Sequence, residues 1–404
     1  MDKWLNVRSL VNADALDEIY RYEVFEDYYR FYPKTVVDHA MTNEKWIMIP
    51  EELKSLYQMV GRTTPLVRAY RLEKKLKTTN RIYLKREDLL CNGSFKITSA
   101  LPQAYYGALQ GKQKVITETG AGQTGVAAAL AAQLNGMHCQ VFMVRSSYQV
   151  KKLRRTQMEV YGAQVIPSPS EATSVGRSLL SKGEMNGSIA NATSEVLEQI
   201  DQDQSSFNIA GSLFDFVLTY NTVIGLEVIQ QLEKVKIHPD FVVGCVGGGS
   251  SFGGFALPLL DHYGHERTQY VCTESGSIPT LTQGTYDFDY PDGEGKSNRL
   301  LMYSLGYDFK PPSMHASGLR YHAASPLLSY FVHHGAIQPV AYDETLAMKS
   351  AIDFSRTEGI VASPESCYTI HAITELCKHH EDRNIIAMIT GNGSLDLESY
   401  GHFL

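Results

Sequence analysis

Short apolar runs alternate with longer amphipathic stretches from about residue 61 onward. Ile82-Tyr83-Leu84-Lys85, Lys114-Val115-Ile116-Thr117, the run 138–144 and Gln164-Val165-Ile166 have the length and composition of strands. Between them, residues 96 to about 109, 125–134 and 150–161 carry helical spacing, the last with basic residues on one side. This strand-helix rhythm predicts parallel βαβ units. A second block repeats it, with a helix over 216–232 and strands over 240–246, 270–273 and 385–389. The expected class is α/β, divided at about residue 215 into an N-terminal arm plus α/β subdomain (1–215) and a C-terminal α/β subdomain (216–404), with some strands crossing over. No internal repeat is visible.

Punctuation refines this. Thr64-Pro65 reads as a cap and first position of a helix after the Gly61-Arg62-Thr63 loop. Pro102 falls inside the helix that follows Lys96, where it removes a backbone donor and predicts a kink. Pro167-Ser168-Pro169 reads as a turn, and 287–298, rich in Asp, Gly and Pro, as a loop of lid length. The first 60 residues, rich in tyrosine and acidic side chains, show no catalytic pattern and read as packing or interface material.

The chain has 404 residues, enough for two subdomains. Hydrophobic residues make up 43% and charged residues 20%, which excludes disorder over most of the length, and a formal charge of −7 argues against a nucleic-acid binder. Six scattered cysteines form no C-x-x-C pair, so no metal site and no disulfide framework is signalled. With no apolar run of membrane-spanning length and no signal pattern, the expected home is the cytoplasm, with no membrane partner.

Candidate chemistry concentrates where strands end. Lys96 follows the Asn92-Gly93-Ser94-Phe95 turn at a helix start, where desolvation lowers an ammonium pKa and frees the amine to condense with an aldehyde cofactor. Gly247-Gly248-Gly249-Ser250-Ser251 follows an apolar strand and opens a helix, the arrangement of a phosphate cradle. It is neither a dinucleotide fingerprint nor a Walker loop. Thr119-Gly120-Ala121-Gly122-Gln123 offers a second anion nest at the same end of the sheet. Glu118, just before it, suits a proton shuttle whose pKa is raised by partial desolvation. Taken alone, each glycine turn serves tight packing equally well.

The Lys96 segment, Glu118 to Gln123, Cys245 to Ser250 and Arg356-Thr357-Glu358-Gly359-Ile360 together resemble the fold-type II pyridoxal phosphate enzymes, specifically the tryptophan synthase β family and its divergent second branch, over residues 61 to 400. The resemblance implies two open, twisted, mostly parallel sheets flanked by helices, and pyridoxal 5'-phosphate bound through Lys96. It implies that Gly247 to Ser251 hold the phosphate and that the 119–123 nest takes the substrate carboxylate. Thr390 would meet the pyridine nitrogen, Glu365 would lie near the ring and Arg320 would help close the pocket. L-serine would lose its α-proton to Lys96 and its hydroxyl with help from Glu118, and indole would then add at Cβ. A homodimer is expected, and an α subunit remains open. Phe95, Thr124 and Ser251 depart from the family pattern, and Cys367-Tyr368-Thr369 is an insertion-like variation. A different nucleophile, a serine or threonine dehydratase, and a subunit without activity therefore stay as alternatives.

Overall fold

The computed structural model describes every residue except 294 and 296. Fourteen strands are found among the described residues. They are β1 (Lys3–Leu5), β2 (Trp46–Met48), β3 (Leu66–Arg68), β4 (Arg81–Arg86), β5 (Lys114–Thr119), β6 (His138–Val144) and β7 (Ala163–Ser168), followed by β8 (Ser206–Asn208), β9 (Phe241–Cys245), β10 (Gln269–Ser275), β11 (Thr285–Asp289), β12 (Leu300–Ser304), β13 (Ile337–Tyr342) and β14 (Asn384–Ile389). Two sheets organise the molecule. One has the order β13-β10-β9-β14-β4-β3 and is parallel except for β3; the other, β7-β6-β5-β8, is wholly parallel. The four-stranded sheet lies wholly before residue 215, whereas the six-stranded one takes β3 and β4 from before it and four strands from after.

Parallel sheets are covered on both faces, and the strands here show why their sequences are apolar without alternation. In β14, Ile385, Ala387 and Ile389 pack into one core, while Ile386 and Met388 pack into the other. The arm belongs to the second of these: Trp4, Val7, Ile19 and Tyr57 are buried in it. Leu5 and Val7 donate backbone N–H groups to Thr222 and Thr219 at 3.0 and 3.3 Å, fastening the first strand to the middle of the chain.

Several expectations are corrected. Thr64-Pro65 does not start a helix. Residues 66–68 form β3, antiparallel to β4, and the Thr64 hydroxyl donates to Glu87 at 2.6 Å instead of capping. The helix expected over 150–161 runs Lys152–Val160, and a separate short helix, Arg145–Val150, precedes it. The Pro167 turn is the end of β7, and the start of the 287–298 loop is the end of β11; residues 294 and 296 of that loop lie outside the described residues. Pro102 sits within one helix, Ile97–Leu109. The carbonyl it leaves without a helical donor, that of Thr98, accepts the Tyr57 hydroxyl at 2.8 Å. Tyr57 in turn accepts the Trp4 indole N–H at 3.3 Å. The arm thus satisfies the defect in the Lys96 helix.

Candidate active site

The carboxyl ends of β4, β5, β9 and β14 open into one cavity of about 630 Å³. Lys96, Glu118, the turn after β9 and Thr390 all line it, which is where an open α/β sheet places its ligands.

Lys96 immediately precedes its helix and is half-buried. Burial brings its ammonium pKa down to about 8, against a smaller upward pull from Glu365. The Phe95 ring centroid stands 5.0 Å from Nζ. Behind this helix, Arg62 bonds Glu227 at 2.9 Å, Glu87 at 2.8 Å and the Thr98 hydroxyl. Lys85, fully buried, donates to Glu227 at 2.6 Å and to the Thr64 carbonyl at 2.7 Å. Two cations and two carboxylates satisfy one another there, and the first turn of the Lys96 helix is held to a rigid base.

After β9 the chain turns through Gly249, at φ +97°, into the helix Ser250–Tyr263. The left-handed conformation suits glycine alone here, since a Cβ would also come within 2.9 Å of Leu328 and Ser325. Gly247, Gly248, Gly249, Ser250 and Ser251 line the cavity with the free amides of a helix N-terminus. Ser250 and Ser251 hydroxyls donate to the carbonyls of Gly211 and Cys245 at 3.3 and 3.4 Å.

The second turn follows β5 and uses Gly122 at φ +96° to start the helix Gln123–Leu134. Thr119, Gly120, Ala121 and Gln123 line the cavity. Gly122 serves the turn and is not part of the lining, and the Thr119 hydroxyl accepts the Gly125 N–H at 3.2 Å. Arg154, buried on helix Lys152–Val160, donates to the Ala121 carbonyl at 3.0 Å and pairs with Asp396. Gln123 donates to Glu365 at 3.1 Å, and the other Glu365 oxygen accepts the Gly318 N–H at 2.8 Å. Burial pushes the Glu365 carboxyl up, but the Arg154 charge and these hydrogen bonds outweigh it, so it stays ionised.

Glu118, on β5 directly before the 119–123 turn, also lines the cavity. Burial raises its pKa to about 7, partly offset by Asn208, whose Nδ2 donates to Oε2 at 3.4 Å. Thr390 directly follows β14, with its hydroxyl 2.9 Å from that of Ser366. Arg320 is not brought to the cavity: its guanidinium donates to the Pro311 carbonyl at 2.9 Å, while its neighbours Leu319 and Tyr321 form the lining.

Sequence reasoning missed Arg154, Asn208 and the arm residues Tyr28, Phe31 and Tyr32, all of which border the cavity or its turns. The basic side of the 150–161 helix was the one available signal for Arg154. The arm's tyrosines gave none for a site. Among the described residues no cluster could hold a metal ion and no helix is long and apolar enough to cross a membrane.

The donor set fits pyridoxal phosphate. A buried amine of lowered pKa could condense with an aldehyde, a glycine-serine helix start could bind a phosphate, and the Thr390 hydroxyl stands in the same cavity as an uncharged partner.

A family model described as pyridoxal-phosphate dependent enzyme matches residues 57–391. The chain is 46% identical over 377 residues to a tryptophan synthase beta chain of Pyrobaculum aerophilum, covering 92% of this chain and 91% of that one. It is 43% identical over 382 residues to a tryptophan synthase beta chain 2 of Methanothermobacter thermautotrophicus, covering 93% and 89%. Among solved structures, a threonine deaminase from T.th. superposes with a TM-score of 0.63 at 19% identity over 85% of this chain and 97% of that one. A fungal L-serine ammonia-lyase from Rhizomucor miehei gives 0.62 at 16% identity, over 84% and 96%. These two likenesses concern the fold.

Proposed function

Because the chain belongs to the pyridoxal-phosphate dependent enzyme family, we propose that it joins L-serine to indole, giving L-tryptophan and water. The observation that carries this reading is the convergence of Lys96, Glu118, two glycine-gated helix starts and Thr390 on one cavity. The kinship with tryptophan synthase beta chains favours this reaction over the dehydratase alternative.

When bound, the cofactor supplies an aldehyde that condenses with amines and a ring that withdraws electrons from the amino-acid α-carbon. Lys96 would hold it and then, as a neutral amine, take the α-proton of serine. The Gly247 to Ser251 turn would hold the phosphate without a counter-charge, and Glu365 would stand near the ring. Thr390, a neutral hydroxyl, would leave the ring nitrogen unprotonated, which favours elimination and replacement at Cβ over transamination. The 119–123 turn would bind the serine carboxylate, with Arg154 supporting its backbone. Glu118 would give a proton to the departing hydroxyl and take one back from the incoming indole. Arg320, turned to Pro311, is left out of this scheme.

A homodimer in the cytoplasm completes the reading, the first expected from the family resemblance and the second from six free thiols. Light scattering of the purified chain checks the dimer.

The decisive experiment records the absorption spectrum with pyridoxal phosphate, then with L-serine, then with indole. A serine-dependent change reversed by indole, with L-tryptophan recovered, is the expected result. No cofactor spectrum, or one unaltered in Lys96→Ala, overturns it. Because the Lys96 pKa is lowered to about 8, cofactor loading should accelerate with rising pH and level off above about 8, where an ordinary lysine would still be charged. A stopped-flow pH series measures this.

A further inference from the structure

Asn208 is the last residue of β8, and its backbone is pinned from two sides. It pairs in register with Ile116 of β5, and its N–H donates to the Phe31 carbonyl at 2.7 Å. The side chain borders the cavity, with Nδ2 donating to Glu118 Oε2 at 3.4 Å. Oδ1, however, is buried and without a hydrogen-bond partner. A buried acceptor left unpaired is destabilising, and a leucine would fill the same space without that cost.

The chemistry of Glu118 supplies a reason for an amide. As a carboxylate Glu118 only accepts hydrogen bonds; as an acid it also donates one. An asparagine presents a donor and an acceptor of nearly equal shape, exchanged by a half-turn of its terminal amide. We propose that Asn208 is a positioning residue that holds Glu118 in both protonation states, Nδ2 donating to the carboxylate and, after the half-turn, Oδ1 accepting from the acid. This rests on the reading of Glu118 as the proton shuttle. In that cycle the acid's proton leaves with the serine hydroxyl as water when the Cβ–O bond breaks. The proton lost by indole when the new Cβ–C bond forms then restores the acid. One residue must be held in one place through both halves; a fixed acceptor would repel the carboxylate, and a fixed donor would leave the acid's own proton without an acceptor.

The surroundings permit the exchange. The titratable groups that face Glu118 are the phenols of Tyr32, from the arm, and Tyr321, from the segment after residues 317–319. Burial holds both phenols neutral, well above their ordinary range. Asp292 acts on Tyr321 from the lid side. The Tyr32 hydroxyl lies near the Asn208 amide and can donate or accept, so it suits either orientation.

The test compares cofactor-loaded wild type, Asn208→Leu, Asn208→Asp and Glu118→Gln by the pH profile of kcat/KM, with an infrared titration of the Glu118 carboxyl as a readout independent of turnover. Losing the amide donor, which favours the carboxylate, should move the Glu118 titration up by about one pH unit in Asn208→Leu, and further in Asn208→Asp, where a second carboxylate opposes ionisation. kcat should fall about tenfold with the serine KM within about twofold. A titration and kcat unchanged in both Asn208 variants overturn the proposal. If Asn208→Leu fails to fold, the near-isosteric Asn208→Asp carries the test. Full turnover in Glu118→Gln would instead remove the shuttle reading beneath it, and with it this inference; an inactive Glu118→Gln with unshifted Asn208 variants overturns this inference alone.

Discussion

The turns after β5 and β9 use the same backbone device with different backing. Gly122 and Gly249 share φ and ψ within about 2°, at +96°, −13° and +97°, −11°, and each opens a helix toward the cavity. Behind Gly122 lies a buried guanidinium: Arg154, bonded to the Ala121 carbonyl and paired with Asp396, with the ionised Glu365 nearby. The side chains nearest to Gly249 are uncharged, Leu328 and Ser325. One nest rests on buried charge and the other on peptide dipoles and hydroxyls alone. Identical local geometry therefore does not make the two equivalent. On the proposed assignment, the neutral nest would hold the ligand that stays, and the charge-backed nest, with its cation already neutralised, the one exchanged at every turnover.

Four substitutions probe that difference. The largest effect is expected from Arg154→Met, which leaves Asp396 buried with only Lys151, 2.9 Å away, to balance it. Removing one partner of a buried pair costs about 3–5 kcal/mol, and thermal denaturation of the cofactor-loaded protein measures it. An unaltered Tm would mean that charge does not support the 119–123 turn. Next, Gly249→Ala places a side chain at φ +97° against Ser325 and Leu328. The strain alone is about 1–2 kcal/mol, so cofactor affinity should fall roughly five- to thirtyfold by fluorescence titration. Gly122→Ala carries the same left-handed strain and meets Arg154 Cβ at 3.0 Å and Met143 Cε at 3.5 Å. It should raise the serine KM about fivefold while leaving cofactor affinity intact, a loss of about 1 kcal/mol. If Gly122→Ala releases the cofactor and Gly249→Ala spares it, the two nests have been assigned the wrong way round. Ser325→Ala is the smallest: its Oγ is buried without a partner, so stability and cofactor affinity should stay within about 0.5 kcal/mol.

Both nests were legible because a glycine cluster directly after an apolar strand leaves few other conformations, and Lys96 because it stands at a turn-to-helix junction. What backs them was not. Arg154 reaches Ala121 across 33 residues of sequence, and Asn208 comes from a strand of three residues too short to show a pattern. Local signals also misled where tertiary pairing prevailed: Thr64-Pro65 has the chemistry of a helix start, yet pairing with β4 makes the next residues a strand. Arg320 was expected at the pocket from the family resemblance of its segment. Leu319 and Tyr321 do reach the lining, but the intervening side chain turns to a backbone carbonyl.

The contact between Tyr57 and the Thr98 carbonyl bears on the order in which this molecule assembles. The Lys96 helix is complete only when Tyr57 bridges the break at Pro102, and Tyr57 is bonded to Trp4. The strand carrying Trp4 is in turn fastened to Thr219 and Thr222, more than two hundred residues along the chain. Contacts of such long sequence separation form late in folding. During synthesis the arm leaves the ribosome ahead of both sheets, yet it would be among the last elements to settle. The lysine would gain its final footing only once the middle of the chain had folded around the arm.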